Sequence, residues 1–234
     1  MQFKKALAIS AVLACGWVQA ESAPNYSFLQ VSAEKVKQHS AGVEGFSDTG
    51  FGIDASWQFA ENWFIAADWQ RFAEKYHFSD AYAGVDYTAY YNNKNDIVLK
   101  RYYVGAGYIL SLSDSSNLSF AGYIGTYESS NSYEYAYYEN DILEYSGAGR
   151  YNSKQSSIKT EVTLRKNTND IFELAGRVHV EYLNAVNNEN WQYGLTGSAL
   201  YHLGEHFALS AELGYGKWLG EMTSSMSAGL RYHF

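Results

Sequence analysis

Apolar and polar residues alternate with a period of two along most of the chain. Between residues 191 and 201 one set reads Trp191, Tyr193, Leu195, Gly197, Ala199 and Tyr201. The intervening set reads Gln192, Gly194, Thr196, Ser198 and Leu200. From 172 to 182, Phe172, Leu174, Gly176, Val178, Val180 and Tyr182 alternate with Glu173, Ala175, Arg177, His179 and Glu181. Successive side chains of a strand point to opposite faces, so this period predicts strands with one apolar and one polar face. Ten such segments are legible: 26–34, 50–59, 63–72, 98–110, 118–127, 157–166, 171–183, 191–201, 207–217 and 223–234.

The connections alternate in length. Residues 60–62, 111–117, 167–170 and 202–206 are short, whereas 35–49, 73–97 and 128–156 are long, and 184–190 and 219–222 are modest. Short and long connections taking turns predict an all-β, antiparallel, up-and-down barrel. Its even strand count puts both termini at the end with the short turns. Aromatics close both ends of several apolar faces, Trp191 with Tyr201 and Phe172 with Tyr182. Ten residues at about 3.3 Å each, tilted by about 40°, project to roughly 25 Å, the height of a lipid-facing barrel band between two aromatic girdles. A soluble periplasmic barrel of lipocalin type would also alternate, with its apolar face inward. The girdle spacing and the Gly- and Ser-rich polar faces favour the membrane.

The end of the chain, "MSAGLRYHF", alternates Met226, Ala228, Leu230 and Tyr232 and finishes on Phe234. It resembles the last strand of Gram-negative outer-membrane β-barrels. The segment 50–69, "GFGIDASWQFAENWFIAADW", is similar to the first hairpin of small porin-like barrels of the OmpA type. The resemblance implies a transmembrane barrel, with eight strands as the alternative to ten. It also implies an assembly signal at Tyr232 and Phe234 read by the barrel-assembly machinery, and contact with outer-membrane lipid and lipopolysaccharide.

Composition sharpens this picture at the N-terminus. Lys4 and Lys5, the apolar run 6–18 and Val18-Gln19-Ala20 form a secretory signal,. Residues 1–20 are therefore expected to be removed and 21–234 to form the barrel domain, exported by a Sec-type route. A lipobox-like reading would instead lipidate Cys15, the single cysteine. Cleavage after Ala20 leaves no cysteine, so no disulfide framework is available. The formal net charge of −8 argues against nucleic acid as a partner,.

With the apolar faces on lipid, the charges point into the lumen. Asp54, Asp68, His179, Glu212 and Arg231 belong there. So does a proposed network of Lys159, Glu161, Arg165, Glu173, Arg177 and Glu181 facing one another across the 167–170 turn. Ten strands lie near the filled end of barrel sizes, so a plugged lumen is favoured over a narrow solute channel. His39 and His77 have no second histidine at metal spacing, and neither a metal nor a cofactor is expected. An omptin-like or lipid-modifying enzyme would need converging carboxylates and histidine. Asp48, Asp80, Asp86, Asp96, His39 and His77 match no such motif, so no activity is expected. The Tyr-rich segments 82–93 and 134–145 are read as surface loops, with Tyr135, Tyr137 and Tyr138 as a contact surface for an extracellular ligand,.

Overall fold

The computed structural model describes residues 23–39, 47–83, 88–184 and 190–234. Residues 1–22, with Cys15 and the expected signal segment, lie outside the described residues, as do parts of three connections, including Asp86. Ten antiparallel strands close into one barrel in sequence order. They are β1 (Phe28–His39), β2 (Ser47–Ala60), β3 (Trp63–Ala83), β4 (Thr88–Ser113), β5 (Ser116–Glu139), β6 (Ile142–Asn169), β7 (Phe172–Leu183), β8 (Trp191–His202), β9 (Phe207–Trp218) and β10 (Glu221–His233). The eight-stranded alternative does not hold. The segment 50–69 forms the second hairpin, β2–β3, and not the first, because β1 at Phe28–His39 precedes it and pairs with both β2 and β10.

Register partners followed from His39 around the wall through β10 and β9 arrive at Trp57 on β2, one position beyond the Phe28–Ser56 pair. The walk therefore drops by about a dozen residues, which for this strand number means a tilt of about 40° and a backbone radius of about 10 Å.

The wall is apolar outside and polar inside. Ile124, Ile158 and Leu213 are 65%, 60% and 66% exposed, whereas Glu173, Glu181, Arg165 and Lys159 are 1%, 3%, 5% and 6% exposed. A lipocalin-like barrel would show the reverse. So large an exposed apolar surface needs lipid against it. Aromatic pairs mark both rims of this surface. Trp63–Tyr108, Phe172–Tyr201 and Phe207–Tyr232 lie at the end carrying the termini. Phe51–Trp69, Trp69–Tyr102 and Tyr182–Trp191 lie at the far end.

Strands β3 to β6 are much longer than the others. The segments 73–97 and 128–156, expected as loops except that Tyr133, Tyr135 and Tyr137 alternate as a continuation of strand five would, continue the ladders. Pairing of β3 with β4 runs on to Ala83–Thr88, of β4 with β5 to Ala89–Glu139, and of β5 with β6 to Glu139–Ile142. The neighbours stop earlier, β2 at Thr49–Ala73 and β7 at Ser157–Leu183. A four-stranded sheet thus rises about 35 Å beyond the wall, as ten or so residues per strand require. The physical reason lies in the chemistry of these residues. Tyr recurs among Ser, Asn and Glu, and no proline interrupts them, so backbone pairing persists where the lipid band ends. The reversal comes at Asn140 and Asp141, whose φ values of 47° and 66° give the two-residue turn suited to strand twist,.

Candidate functional site

Two regions carry the unusual chemistry: the lumen and the protruding sheet. In the lumen, the inward alternation of each strand brings charges together at a radius where opposite walls touch. Arg165 on β6 grips Glu173 on β7 with both forks, Nε to Oε1 at 2.7 Å and Nη2 to Oε2 at 2.9 Å. Its remaining nitrogen donates to the Asn25 carbonyl at 2.9 Å, and its plane lies 4.4 Å from the Tyr26 ring. Lys159 sits 3.5 Å from Glu161 and between the rings of Tyr123 and Tyr103, at 4.2 and 4.6 Å. Glu161 also accepts from the Tyr123 hydroxyl at 2.9 Å.

The other pairings differ from the expected set. Arg177 reaches Glu212 on β9 at 2.9 Å, and not an acid across the 167–170 turn. Glu181 stands opposite Lys159 in register, yet it is bound by Ser157, by Tyr103 from β4 and by Arg101 at 3.6 Å. The cause is the narrow lumen, about 20 Å across between backbones. Long side chains from facing walls meet as readily as neighbours do. Arg101 and Glu34, both lumenal, were missed in the sequence, although Arg101 shares the inward parity of Tyr103 two residues on. His179 lies over Gly194 on the neighbouring strand, where a Cβ would strike its ring.

Between these charges a polar cavity of about 250 Å³ remains, lined by Glu34, Asp54, Asp68, Arg101, Arg177 and Glu212 among others. Apolar layers bound it. Phe64, Tyr26, Tyr103, Ile109 and Tyr123 pack on one side. At the far mouth, Val36, Phe72, Leu99, Tyr127, Leu183 and Trp218 form a lid, with the Phe72 and Trp218 rings 5.8 Å apart.

The carboxylates and histidines weighed for catalysis are dispersed. His39 bonds Ser224 at 3.0 Å and Asp96 pairs with Lys75 at 3.5 Å, whereas Asp48 is 1% exposed. His77 and Asp80 lie on the protruding part of β3. Among the described residues no group of three or more His, Cys, Asp or Glu is arranged to hold a metal.

The protruding sheet presents two different faces. Tyr133, Tyr135 and Tyr137 on β5 share the inward parity of Tyr123 and Tyr127. With Tyr91 on β4 and Tyr145 on β6 they form a continuous ring array. Tyr137 and Tyr145 stack at 4.9 Å, and Tyr135 lies 6.4 Å from both Tyr91 and Tyr133. Tyr133 and Tyr135 lie flat over their register partners Gly149 and Gly147, where a Cβ would collide with the rings. The opposite face carries Tyr90 and Tyr138, stacked at 4.7 Å. The Tyr90 phenol titrates above its ordinary value, through desolvation first and the adjacent Asp141 carboxylate second. That face also holds a shallow groove of about 580 Å³ floored by Ala136, Ser146 and Ala148 and flanked by His77, Lys94 and Glu134. The proposed trio is therefore split. Tyr135 and Tyr137 are on one face and Tyr138 on the other, where the β5–β6 register shifts. Tyr91, Tyr133 and Tyr145 complete the patch and were missed, because their meeting depends on strand pairing.

At the chain end, Tyr232 and Phe234 face outward, 40% and 58% exposed, and His233 is buried inward at 3%.

No protein-family model matches the chain, and no curated protein matches it either. Its fold is shared by solved outer-membrane proteins. The translocator domain of the autotransporter NalP from Neisseria meningitidis superposes with a TM-score of 0.52 at 14% identity, over 100% of this chain and 95% of that one. The outer-membrane protease OmpT from Escherichia coli gives 0.47 at 12% identity, over 90% and 97%. Ail, the attachment invasion locus protein of Yersinia pestis, gives 0.39 at 12% identity, over 90% and 100%. At 14% identity the likeness to the NalP translocator domain is one of fold.

Proposed function

We propose that this chain, whose fold is that of Gram-negative outer-membrane β-barrels, is a surface-interaction protein: a filled barrel that holds a tyrosine-faced sheet away from the membrane. The supporting observation is the Tyr91, Tyr133, Tyr135, Tyr137 and Tyr145 array, carried on paired strands and not on a pliant loop. Tyrosine offers large contact area at low entropic cost and keeps a hydroxyl for water or partner. A rigid support lowers the ordering cost of binding further. In this reading residues 1–20 direct export, and the termini face the periplasm. Tyr232 and Phe234 are recognised by the assembly machinery, and the sheet stands outside the cell. A non-catalytic role belongs to this proposal, and the dispersal of the acids and histidines supports it. The test is adhesion of bacteria displaying the protein to epithelial cells and immobilised extracellular-matrix proteins. Loss of adhesion on removal of the sheet, with the barrel intact in the membrane, is the expected result.

The polar cavity favours one competing reading, a narrow channel. Against it stand the Phe72, Trp218, Leu99 and Leu183 cluster at the far mouth and the Arg165–Glu173 clamp in the cavity lining, which support a filled barrel. In planar bilayers the purified barrel is expected to give no large steady conductance. Sustained porin-sized openings would make transport the leading function.

A further inference from the structure

The tyrosines on the inner face of the protruding sheet have a definite geometry. Tyr91, Tyr135 and Tyr133 form a row across β4 and β5. Each ring centroid lies 6.4 Å from the next, and successive planes differ by only 25° and 18°. Gly147 and Gly149 on β6 let Tyr135 and Tyr133 lie down, since a Cβ at either position would strike the phenol carbons. A second pair stands across this row. Tyr145 is inclined by 65° to Tyr135 at 6.3 Å, and Tyr137 stacks on Tyr145 at 17°. The result is a floor of three nearly parallel rings beside a wall of two. Tyr133 and Tyr145 are 38% and 52% exposed, so floor and wall both meet solvent.

Charge is sorted between the two faces of this sheet. Lys75, His77, Lys94, Arg150 and Lys154 all take the outer parity of their strands. Their contacts agree: Lys75 reaches Asp96 and Arg150 reaches Ser130, both outward. Among the described residues of the sheet, no Lys, Arg or His takes the inner parity. The inner face carries acids instead, Glu74 and Asp80, and Asp80 is the register partner of Tyr91. Its other polar groups are amides and hydroxyls. Asn95 donates to Asn93 Oδ1 at 2.8 Å, which sets two amides side by side next to Tyr91 on β4. From the floor to the wall no Leu, Val, Met or Trp shares this face.

We infer that the floor of Tyr91, Tyr135 and Tyr133, walled by Tyr145, binds an uncharged oligosaccharide. A pyranose presents C–H groups on one face and hydroxyls around its edge. The electron-rich face of a phenol attracts those polarised C–H groups. Side-chain amides both donate and accept, as sugar hydroxyls do. The spacing of the floor rings is close to the repeat of linked pyranoses, so each ring can serve one sugar. Sialylated, sulfated and phosphorylated glycans need cations to hold them, and here they would meet Asp80. A protein partner is anchored by buried Trp, Arg and Tyr in pockets, whereas these tyrosines form an open floor with neither Trp nor Arg beside them. This inference rests on the surface-interaction reading and names the chemistry of its partner.

The test presents the folded barrel, in lipid nanodiscs, to an array of purified, lipid-free glycans. The array holds linear neutral hexose and N-acetylhexosamine oligomers together with their sialylated and sulfated forms. Retention on a neutral oligomer, and weaker retention on its charged forms, is expected. Tyr133→Leu with Tyr135→Leu keeps apolar area but removes the aromatic faces, and should weaken retention about tenfold. Tyr90→Leu with Tyr138→Leu, on the other face, should leave it unchanged. Heat-modifiable mobility checks that each variant is folded, and Tyr145→Leu at the exposed wall gives a second reading should the floor pair fail to fold. No retention on any neutral oligomer would overturn the proposal. So would equal or tighter binding of the charged forms, indifference to the leucine substitutions of floor and wall, or an equal loss in the Tyr90–Tyr138 variant. Adhesion to target cells whose glycans have been oxidised with periodate separates this inference from the reading beneath it. Adhesion that depends on Tyr133 and Tyr135 but survives periodate would point to a protein partner and sink only the saccharide. Adhesion indifferent to removal of the whole sheet would sink the surface-interaction reading itself.

Discussion

The sheet above the barrel continues four of the wall's ten strands, yet sheet and wall obey different rules. On β6, Val162 and Ile158 face outward in the wall, and Asn152 and Arg150 face outward in the sheet, all at the same parity. Within the lipid band the outer face must be apolar and the inner face must satisfy buried charge. Above it both faces meet water, and the ladder itself is the common element. Backbone pairing is obligatory in the wall, where no water can replace a lost partner, and less costly to break in the sheet, and a charged side chain is penalised on the wall's outer face alone. The difference shows why tyrosines gather in the sheet. They are the apolar residues that a pleated, water-washed surface tolerates, and cross-strand aromatic pairs contribute roughly 0.2–1 kcal/mol each there.

The comparison breaks most severely at the Arg165–Glu173 clamp. Glu173 is 1% exposed and Arg165 5%, so removing one partner strands the other in a water-poor interior. Glu173→Gln or Arg165→Met is expected to destabilise the barrel by about 3–5 kcal/mol, and the double variant by much less, because it leaves no orphaned charge. Urea unfolding in detergent micelles with a double-mutant cycle measures this. An ion pair on the sheet, Lys154–Glu128, has side chains 70% and 35% exposed and should cost under about 1 kcal/mol to break,.

A second contrast uses one strand and one face. Val162→Arg places a charge on the lipid band and should cost about 2–4 kcal/mol, whereas Asn152→Arg, ten residues away on β6, should change stability by less than about 0.5 kcal/mol. Val162 is 39% exposed, so accessibility in the isolated molecule gives no reason for the larger cost. Equal effects in a refolding titration would remove the evidence that lipid surrounds the wall.

The same contrast explains what could be read from the chain and what could not. The ten strands, the apolar outward parity and the aromatic rims follow from local alternation, since lipid on one side and a polar lumen on the other stamp a period of two on each wall segment. Strand bounds in the wall came within three residues, except that β1 runs on to His39, five residues into the stretch expected as a loop. The sheet was less legible. Residues 129–132, Ser-Ser-Asn-Ser, lack the apolar half of the pattern, and their strand conformation is set by partners at 96–99 and 150–153. Pairing of that kind is non-local. For the same reason parity identified the lumenal charges without their partners. Nothing in the order of residues says that Arg177 spans to Glu212 or that Arg101 meets Glu181. Tyr135 and Tyr138 look adjacent in the chain and lie on opposite faces, as adjacency at odd spacing in a strand requires.

Removing the sheet's outer hairpin sharpens the distinction further. Replacing residues 131–151 with an Asn-Gly turn joins β5 to β6 at Ser130 and Asn152, already register partners,. The wall's ladders and lumen clamps are untouched, so heat-modifiable mobility should persist with unfolding shifted by less than about 1 kcal/mol. Adhesion should fall to the level of cells lacking the protein. A deletion that fails to fold would show the sheet to be part of the barrel's own stability, contrary to the division drawn between them.

The finest distinction lies within the sheet, between its two tyrosine faces. Tyr135 and Tyr137 belong to the array that continues the barrel's inner face, and Tyr90 and Tyr138 form a separate stack on the outer face. All four rings are half-buried, so Tyr135→Ser with Tyr137→Ser and Tyr90→Ser with Tyr138→Ser should cost similar, small amounts of stability, about 1 kcal/mol or less. Their effects on adhesion should differ. The inner array has five rings in mutual contact, two of them lying over glycine, and so offers a broad, pre-ordered contact surface. The outer stack is two rings beside a groove whose walls are charged. Loss of adhesion with the first pair and retention with the second is expected in cell-binding assays, with surface expression checked by protease accessibility. Phenylalanine at Tyr135 and Tyr137 separates area from hydroxyl: retained adhesion means that ring area carries the contact, and lost adhesion means that hydrogen bonds do. If instead the Tyr90–Tyr138 variant loses adhesion and the Tyr135–Tyr137 variant keeps it, the groove between His77 and Glu134 is the contact surface and the inner array merely stiffens the sheet that carries it.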